Sequence, residues 1–137
     1  MKACILYVSH TGNTRRMAEA MADSLKTPVF NIATTEPSVA NNFDLLIIGT
    51  PVTGFKPAPE VLSFIARLPQ GEGKKTILFC TYVLSKGGTF KIMEQELAKK
   101  GYRTILSVSK KGVKPDKADF SDTIDEITKT IEKQQQN

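Results

Sequence analysis

The sequence predicts an α/β fold of three layers, a parallel sheet of five strands with helices on both faces. Two observations carry this. Strand-length apolar runs alternate along the chain with segments whose apolar residues recur every three or four positions. The middle runs, Leu45-Leu46-Ile47-Ile48 and Thr76-Ile77-Leu78-Phe79-Cys80, are apolar without alternation. That is the pattern of a parallel strand covered on both sides.

The first strand is the run Ala3–Val8, and the helix after it carries Met17, Ala18, Met21, Ala22 and Leu25 on one face. Val29–Ile32 reads as the second strand. Residues 33–42 contain Pro37 and two asparagines and read as either a short helix or a loop. Ten residues are close to the shortest parallel crossover, about 10–12. Leu45–Gly49 is the third strand, and Pro59–Leu68 the next helix, with proline at a tolerated N-terminal position. Thr76–Cys80 is the fourth strand. The helix Thr89–Lys100 then places Phe90, Met93 and Leu97 on one face and stops at Gly101. After the fifth strand, Thr104–Val108, the last helix covers about Asp119 to Lys133 and spaces Phe120, Ile124, Ile127 and Ile131 by four, three and four. Asp119 and Asp122 suit its positive end. Gln134–Asn137 has nothing to bury and is expected to fray.

The chain has 137 residues, 40% hydrophobic and 24% charged, which fits one domain over residues 1–137. No apolar stretch approaches membrane-spanning length and the apolar start is too short for a secretory signal, so a cytoplasmic protein without a membrane partner is expected. Cys4 and Cys80 lie in apolar runs without metal-ligand spacing and are expected to be buried thiols. The net charge is +5. Its basic residues form no dense block, the nearest being Lys110, Lys111, Lys114 and Lys117, and neither zinc spacing nor an aromatic RNA-binding signature accompanies them. A solvated lysine face ranks first, an acidic protein partner second and nucleic acid third.

Three loops meet the carboxyl ends of the strands, where open α/β sheets bind ligands. Ser9-His10-Thr11-Gly12-Asn13-Thr14 joins the first strand to the first helix. Hydroxyls, a glycine and a fresh helix N-terminus together make a phosphate cradle, more than a simple cap requires. The second loop, Thr50–Pro59, and the third, Thr81–Gly88, each combine glycine, hydroxyl groups and an aromatic residue, a mixture suited to a flat heteroaromatic ring. The single histidine, His10, reads as a local hydrogen-bonding residue and not as an acid–base catalyst. Without a second histidine, or a cysteine nucleophile near one, a hydrolase triad is not available.

With these loops the chain resembles the flavodoxin-like family of FMN proteins. Ser9–Thr14 matches that family's phosphate-loop pattern of a hydroxyl, any residue, then Thr-Gly-any-Thr, and the resemblance spans nearly the whole chain. It implies the strand order 2-1-3-4-5 and FMN as cofactor. The phosphate would be bound by Ser9, His10, Thr11, Gly12, Asn13 and Thr14. The isoalloxazine would be held by Thr50, Pro51, Val52, Thr53, Gly54, Phe55 and Lys56 on one side and by Thr81, Tyr82, Val83, Gly87 and Gly88 on the other. Gly54 would be the peptide that reorients toward the flavin on reduction. In that order the first and fourth strands lie about 9–10 Å apart, beyond disulfide reach for Cys4 and Cys80.

The implied function is electron transfer between redox protein partners, with no catalytic residue of the chain's own and no metal. The chain departs from the family in lacking tryptophan, in carrying Lys86 and nearby Lys91 where the third loop usually has acidic surroundings, and in being basic overall; Lys56 lies in the second loop. Those lysines favour an acidic partner. The compact loops, which leave little material for a substrate pocket, argue for the carrier. The lysines argue mildly for a second function class, an FMN-dependent reductase passing hydride from NAD(P)H to a quinone or similar acceptor. A third is an apo binding or regulatory module that retains the fold alone.

Overall fold

In a computed structural model, which describes residues 1–112 and 120–136, the elements alternate as expected. They are β1 (Ala3–Tyr7), α1 (Asn13–Leu25), β2 (Val29–Asn31), β3 (Leu45–Thr53), β4 (Lys56–Pro57), α2 (Pro59–Ala66), β5 (Lys75–Tyr82), α3 (Thr89–Lys99), β6 (Arg103–Lys111) and α4 (Ser121–Gln135). The residues between β2 and β3 form two 3₁₀ turns, Ile32–Thr34 and Pro37–Asn42. Asn31 opens the first by accepting the Ala33 N–H on its side chain, and Pro37 starts the second. The crossover is thus neither a proper helix nor an open loop.

The long strands are parallel in the order β2-β1-β3-β5-β6, which is the 2-1-3-4-5 order implied by the resemblance. The sixth strand is the difference. β3 runs on past Gly49 to Thr53 and folds back, so that Val52 and Thr53 pair antiparallel with Pro57 and Lys56. The expected second ring loop is therefore partly a hairpin. Gly54 and Phe55 turn it with φ of 57° and 65°, the two positive values that a type I′ turn demands.

The sheet has a core on each side, as its unbroken apolar strands require. Cys4, Leu6, Leu46, Ile48 and Leu78 face α2 and α3 through Val61, Phe64, Ile65, Met93 and Leu97. Ile5, Leu45, Ile47, Ile77 and Phe79 face α1 and α4 through Met17, Met21, Phe120, Ile124 and Ile127. The two thiols are buried and free. Cys4 lies level with Leu46 and Thr76, four residues before Cys80 along β5. From strand rise and spacing this puts them roughly 16 Å apart.

The tail differs from its expectation. Helix α4 continues to Gln135, and the Lys75 ammonium donates to the Gln134 side chain, which ties the last turn to the start of β5. Asp119, Lys114, Lys117 and Asn137 lie outside the described residues. Among the described residues no helix is long and apolar enough to cross a membrane.

Candidate functional site

A strand that ends buried beside a helix that starts buried leaves the turn between them little freedom. Between Tyr7 and Asn13 the backbone reverses through Gly12 at φ 94°, a left-handed conformation that favours glycine. Ser9 Oγ accepts the N–H groups of Gly12 at 3.0 Å and Arg15 at 3.3 Å, which fixes the curl of the loop. The N–H groups of Asn13 and Thr14 open the helix and have no intrahelical acceptor. They lie at the positive end of α1, where an anion is favoured.

Side chains then lock this loop to its neighbours. Thr14 is buried, and its hydroxyl lies 2.7 Å from that of Thr81 at the end of β5. Asn13 donates from Nδ2 to the Gly112 carbonyl (3.3 Å) and accepts the Arg16 guanidinium on Oδ1 (2.7 Å). Gly112 in turn donates to the Tyr82 carbonyl (3.1 Å). The phosphate-type loop is thereby pinned to the ends of β5 and β6.

The other two loops are also joined to each other. The Gly88 N–H donates to the Phe55 carbonyl at 3.2 Å. Gly87, at φ 54°, packs so closely that an added Cβ would lie 2.5 Å from the Phe55 Cβ. Thr50 is buried below, donating to the Pro51 carbonyl (2.7 Å) and accepting the Ala58 N–H (2.9 Å). It closes the base of the hairpin segment.

Between the three loops lies an open cleft of about 480 Å³, within the range of small-molecule sites. His10, Thr11 and Asn13 line one end, Pro51–Phe55 one wall and Thr81, Tyr82 and Val83 the other. Eleven of the expected site residues therefore meet at one cavity. Ser9, Gly12 and Thr14 shape the anion loop from behind. Thr50, Gly87 and Gly88 hold the walls in place, and Lys56 sits exposed beyond the hairpin turn. Leu84 and Ser85 also line the cleft. They belong to the expected third loop but bear no mark that separates them from its other residues.

One further residue had no sequence signal. Glu60, in the first turn of α2, accepts from the His10 imidazole at 2.6 Å, although fifty positions separate the two. The hydrogen bond from His10 holds the Glu60 carboxyl below its ordinary value, with help from its own backbone N–H. Burial acts in the opposite sense on the Cys80 thiol, which is pushed up to about 12.

These residues fit a flavin nucleotide. The N–H groups of Asn13 and Thr14, which have no acceptor within their own helix, would offer a phosphate its donors, and the left-handed Gly12 would present no Cβ to it. Tyr82 and Phe55 both line the cleft, whose volume suits a small heteroaromatic ligand. The chain has relatives of known family. The family model for the flavodoxin domain matches residues 4–120. An uncharacterized protein of Methanocaldococcus jannaschii is 30% identical over 115 residues, covering 82% of this chain and 76% of its own. The two-electron reduced flavodoxin of Megasphaera elsdenii superposes with a TM-score of 0.73 at 25% identity, over 83% of this chain and 88% of that one. Oxidised flavodoxin 1 of Bacillus cereus gives 0.76 at 22% identity, over 91% and 93%. With the family model spanning both sides of the sheet and all three cleft loops, the chain belongs to the flavodoxin domain family.

Proposed function

We propose that the chain is an FMN-binding electron carrier of the cytoplasm, passing electrons between redox protein partners. FMN is its cofactor. The observation that carries the reading is a cleft with the N-terminus of α1 at one end and both Phe55 and Tyr82 in its lining. The N–H groups of Asn13 and Thr14 around Gly12 would hold the phosphate, and the segments Pro51–Phe55 and Thr81–Val83 would hold the ring. When bound, the isoalloxazine supplies the electron chemistry, and the protein supplies position and electrostatics. Thr14–Thr81 and Phe55–Gly88 keep the three loops at fixed separation, so the site is largely formed before the cofactor arrives.

Fluorescence titration of the apo chain with FMN and with riboflavin tests this. FMN quenches on binding, and riboflavin, which lacks the phosphate, binds far more weakly. Equal affinity overturns the phosphate assignment, and a chain that takes neither overturns the cofactor.

A further inference from the structure

Three of the large apolar side chains that stand exposed crowd the mouth of this one cleft: Phe55 (54%), Val83 (54%) and Leu84 (80%). An exposed apolar cluster at a functional opening marks a surface that is covered at some stage. The charge around it is one-sided. Among the described residues, the edge segments 9–16, 50–59, 81–91 and 110–112 contain no aspartate or glutamate, and Glu60 follows the second of them. They contain Lys56, Lys86, Lys91, Lys110 and Lys111, besides the two arginines that open α1.

The register of the sheet brings two of these lysines to the rim. Lys110 and Lys111 pair with Thr81 and Tyr82, so the end of β6 lies directly beside the cleft wall. Lys86 reaches across the rim to Ser109 Oγ (3.4 Å) and lies over the Phe90 ring (5.7 Å). Of the carboxylates that follow on α1 and α2, Glu19 is paired with Arg15 and Glu60 is hydrogen-bonded to His10. Without the cations of this edge, acidic residues outnumber basic ones in the rest of the chain. The edge segments thus hold seven of the chain's cations, and the rest of the sequence carries no excess of positive charge.

We propose that this rim is a docking surface for an acidic protein, whose carboxylates ring an apolar centre that covers Val83 and Leu84. The inference rests on the electron-carrier reading for its purpose, since docking here brings a partner's redox centre to the cofactor edge. Lysine and carboxylate rims set encounter rate and orientation, and the apolar centre supplies the close contact. A nucleic acid backbone matches the charge but leaves Leu84 in water.

The test uses the FMN-loaded chain with three probes: a plant-type [2Fe–2S] ferredoxin as the acidic protein, cytochrome c as the basic one, and NADPH. The ferredoxin binds at low salt, weakens about tenfold or more on raising NaCl from about 20 to about 200 mM, and cytochrome c does not bind. Replacing Lys86, Lys91, Lys110 and Lys111 by glutamine removes most of the affinity and flattens the salt dependence, with the flavin absorbance retained. Leu84→Ser weakens binding and leaves the salt dependence unchanged. Equal binding of both proteins, or of neither, overturns the proposal. So does NADPH binding that is lost in the lysine variant while ferredoxin is ignored. A chain that refuses FMN but still binds ferredoxin overturns the cofactor reading and supports the docking. A yellow chain that ignores ferredoxin overturns the docking alone.

Discussion

The Phe55 carbonyl accepts the Gly88 N–H at 3.2 Å, a bond that joins the turn of the β3–β4 hairpin to the loop after β5. It requires a close backbone approach, which Gly87 permits. An alanine there sets its Cβ 2.6 Å from the Phe55 oxygen, on a backbone already at φ 54°. Gly54 also has a positive φ, but nothing lies within 4 Å of an added Cβ. Gly54→Ala is therefore expected to lose only about 1 kcal/mol, from backbone strain. Gly87→Ala is expected to lose about 2 kcal/mol or more and to weaken FMN as the walls part. Urea unfolding and FMN titration of both variants check the difference. Equal losses would mean that the Phe55–Gly88 contact does not hold the cleft.

The sheet and its two cores were legible because a doubly covered strand has to be apolar at every position, and Leu45–Ile48 and Ile77–Cys80 are. The anion loop was legible because its hydroxyls, glycine and helix start are contiguous. The hairpin was not, because Phe55 at a positive φ is an unfavourable choice that only tertiary context stabilises. Nor was Glu60, since its partnership with His10 arises where α2 begins beside the loop after β1. Gln134 looked free to fray because its partner, Lys75, is distant in sequence. Local pattern reveals elements and contiguous sites; pairings made across the fold leave no local trace.

Thr14 and Thr81 provide a test of how the anion loop is fixed. Their hydroxyls are 2.7 Å apart and buried, so removing one leaves the other without its partner. Thr14→Val or Thr81→Val is expected to destabilise the apo chain by about 1–3 kcal/mol. The double variant is expected to lose less than the sum of the two, because no orphaned hydroxyl remains. Denaturant unfolding of the four proteins measures the coupling. Strict additivity would show that the two hydroxyls do not share a bond in solution.

The His10–Glu60 pair makes the opposite prediction about acid. Glu60 titrates below its usual 4.5, first because His10 donates to it. A carboxyl lowered in this way stabilises the fold above the unfolded value, and the benefit disappears as pH falls through the folded value. Both side chains are substantially exposed, so the contribution stays within about 1 kcal/mol. Wild type is expected to exceed Glu60→Gln in stability at pH 6, and the gap to close by about pH 3. A gap that persists unchanged at low pH would show that the carboxylate charge plays no part.

Cys4 and Cys80 respond at the alkaline end. Burial raises both thiols from 9.0 to about 12, with Lys74 and Lys86 pulling weakly the other way. In the unfolded chain they ionise near 9.0. Their stabilisation is thus complete below pH 9 and is lost progressively as pH rises toward 12. Each thiol adds a slope of up to about 1.4 kcal/mol per pH unit in that window. Cys80→Ala lowers stability at pH 7 by leaving a small cavity, yet it is expected to lose less than wild type between about pH 9.5 and 11. The slope, unlike the absolute stability, isolates the thiol from the packing change. The same burial predicts no reaction with a disulfide reagent at pH 8 in the native state and release of both thiols in urea. Native reactivity at either cysteine would show that its strand opens readily to solvent.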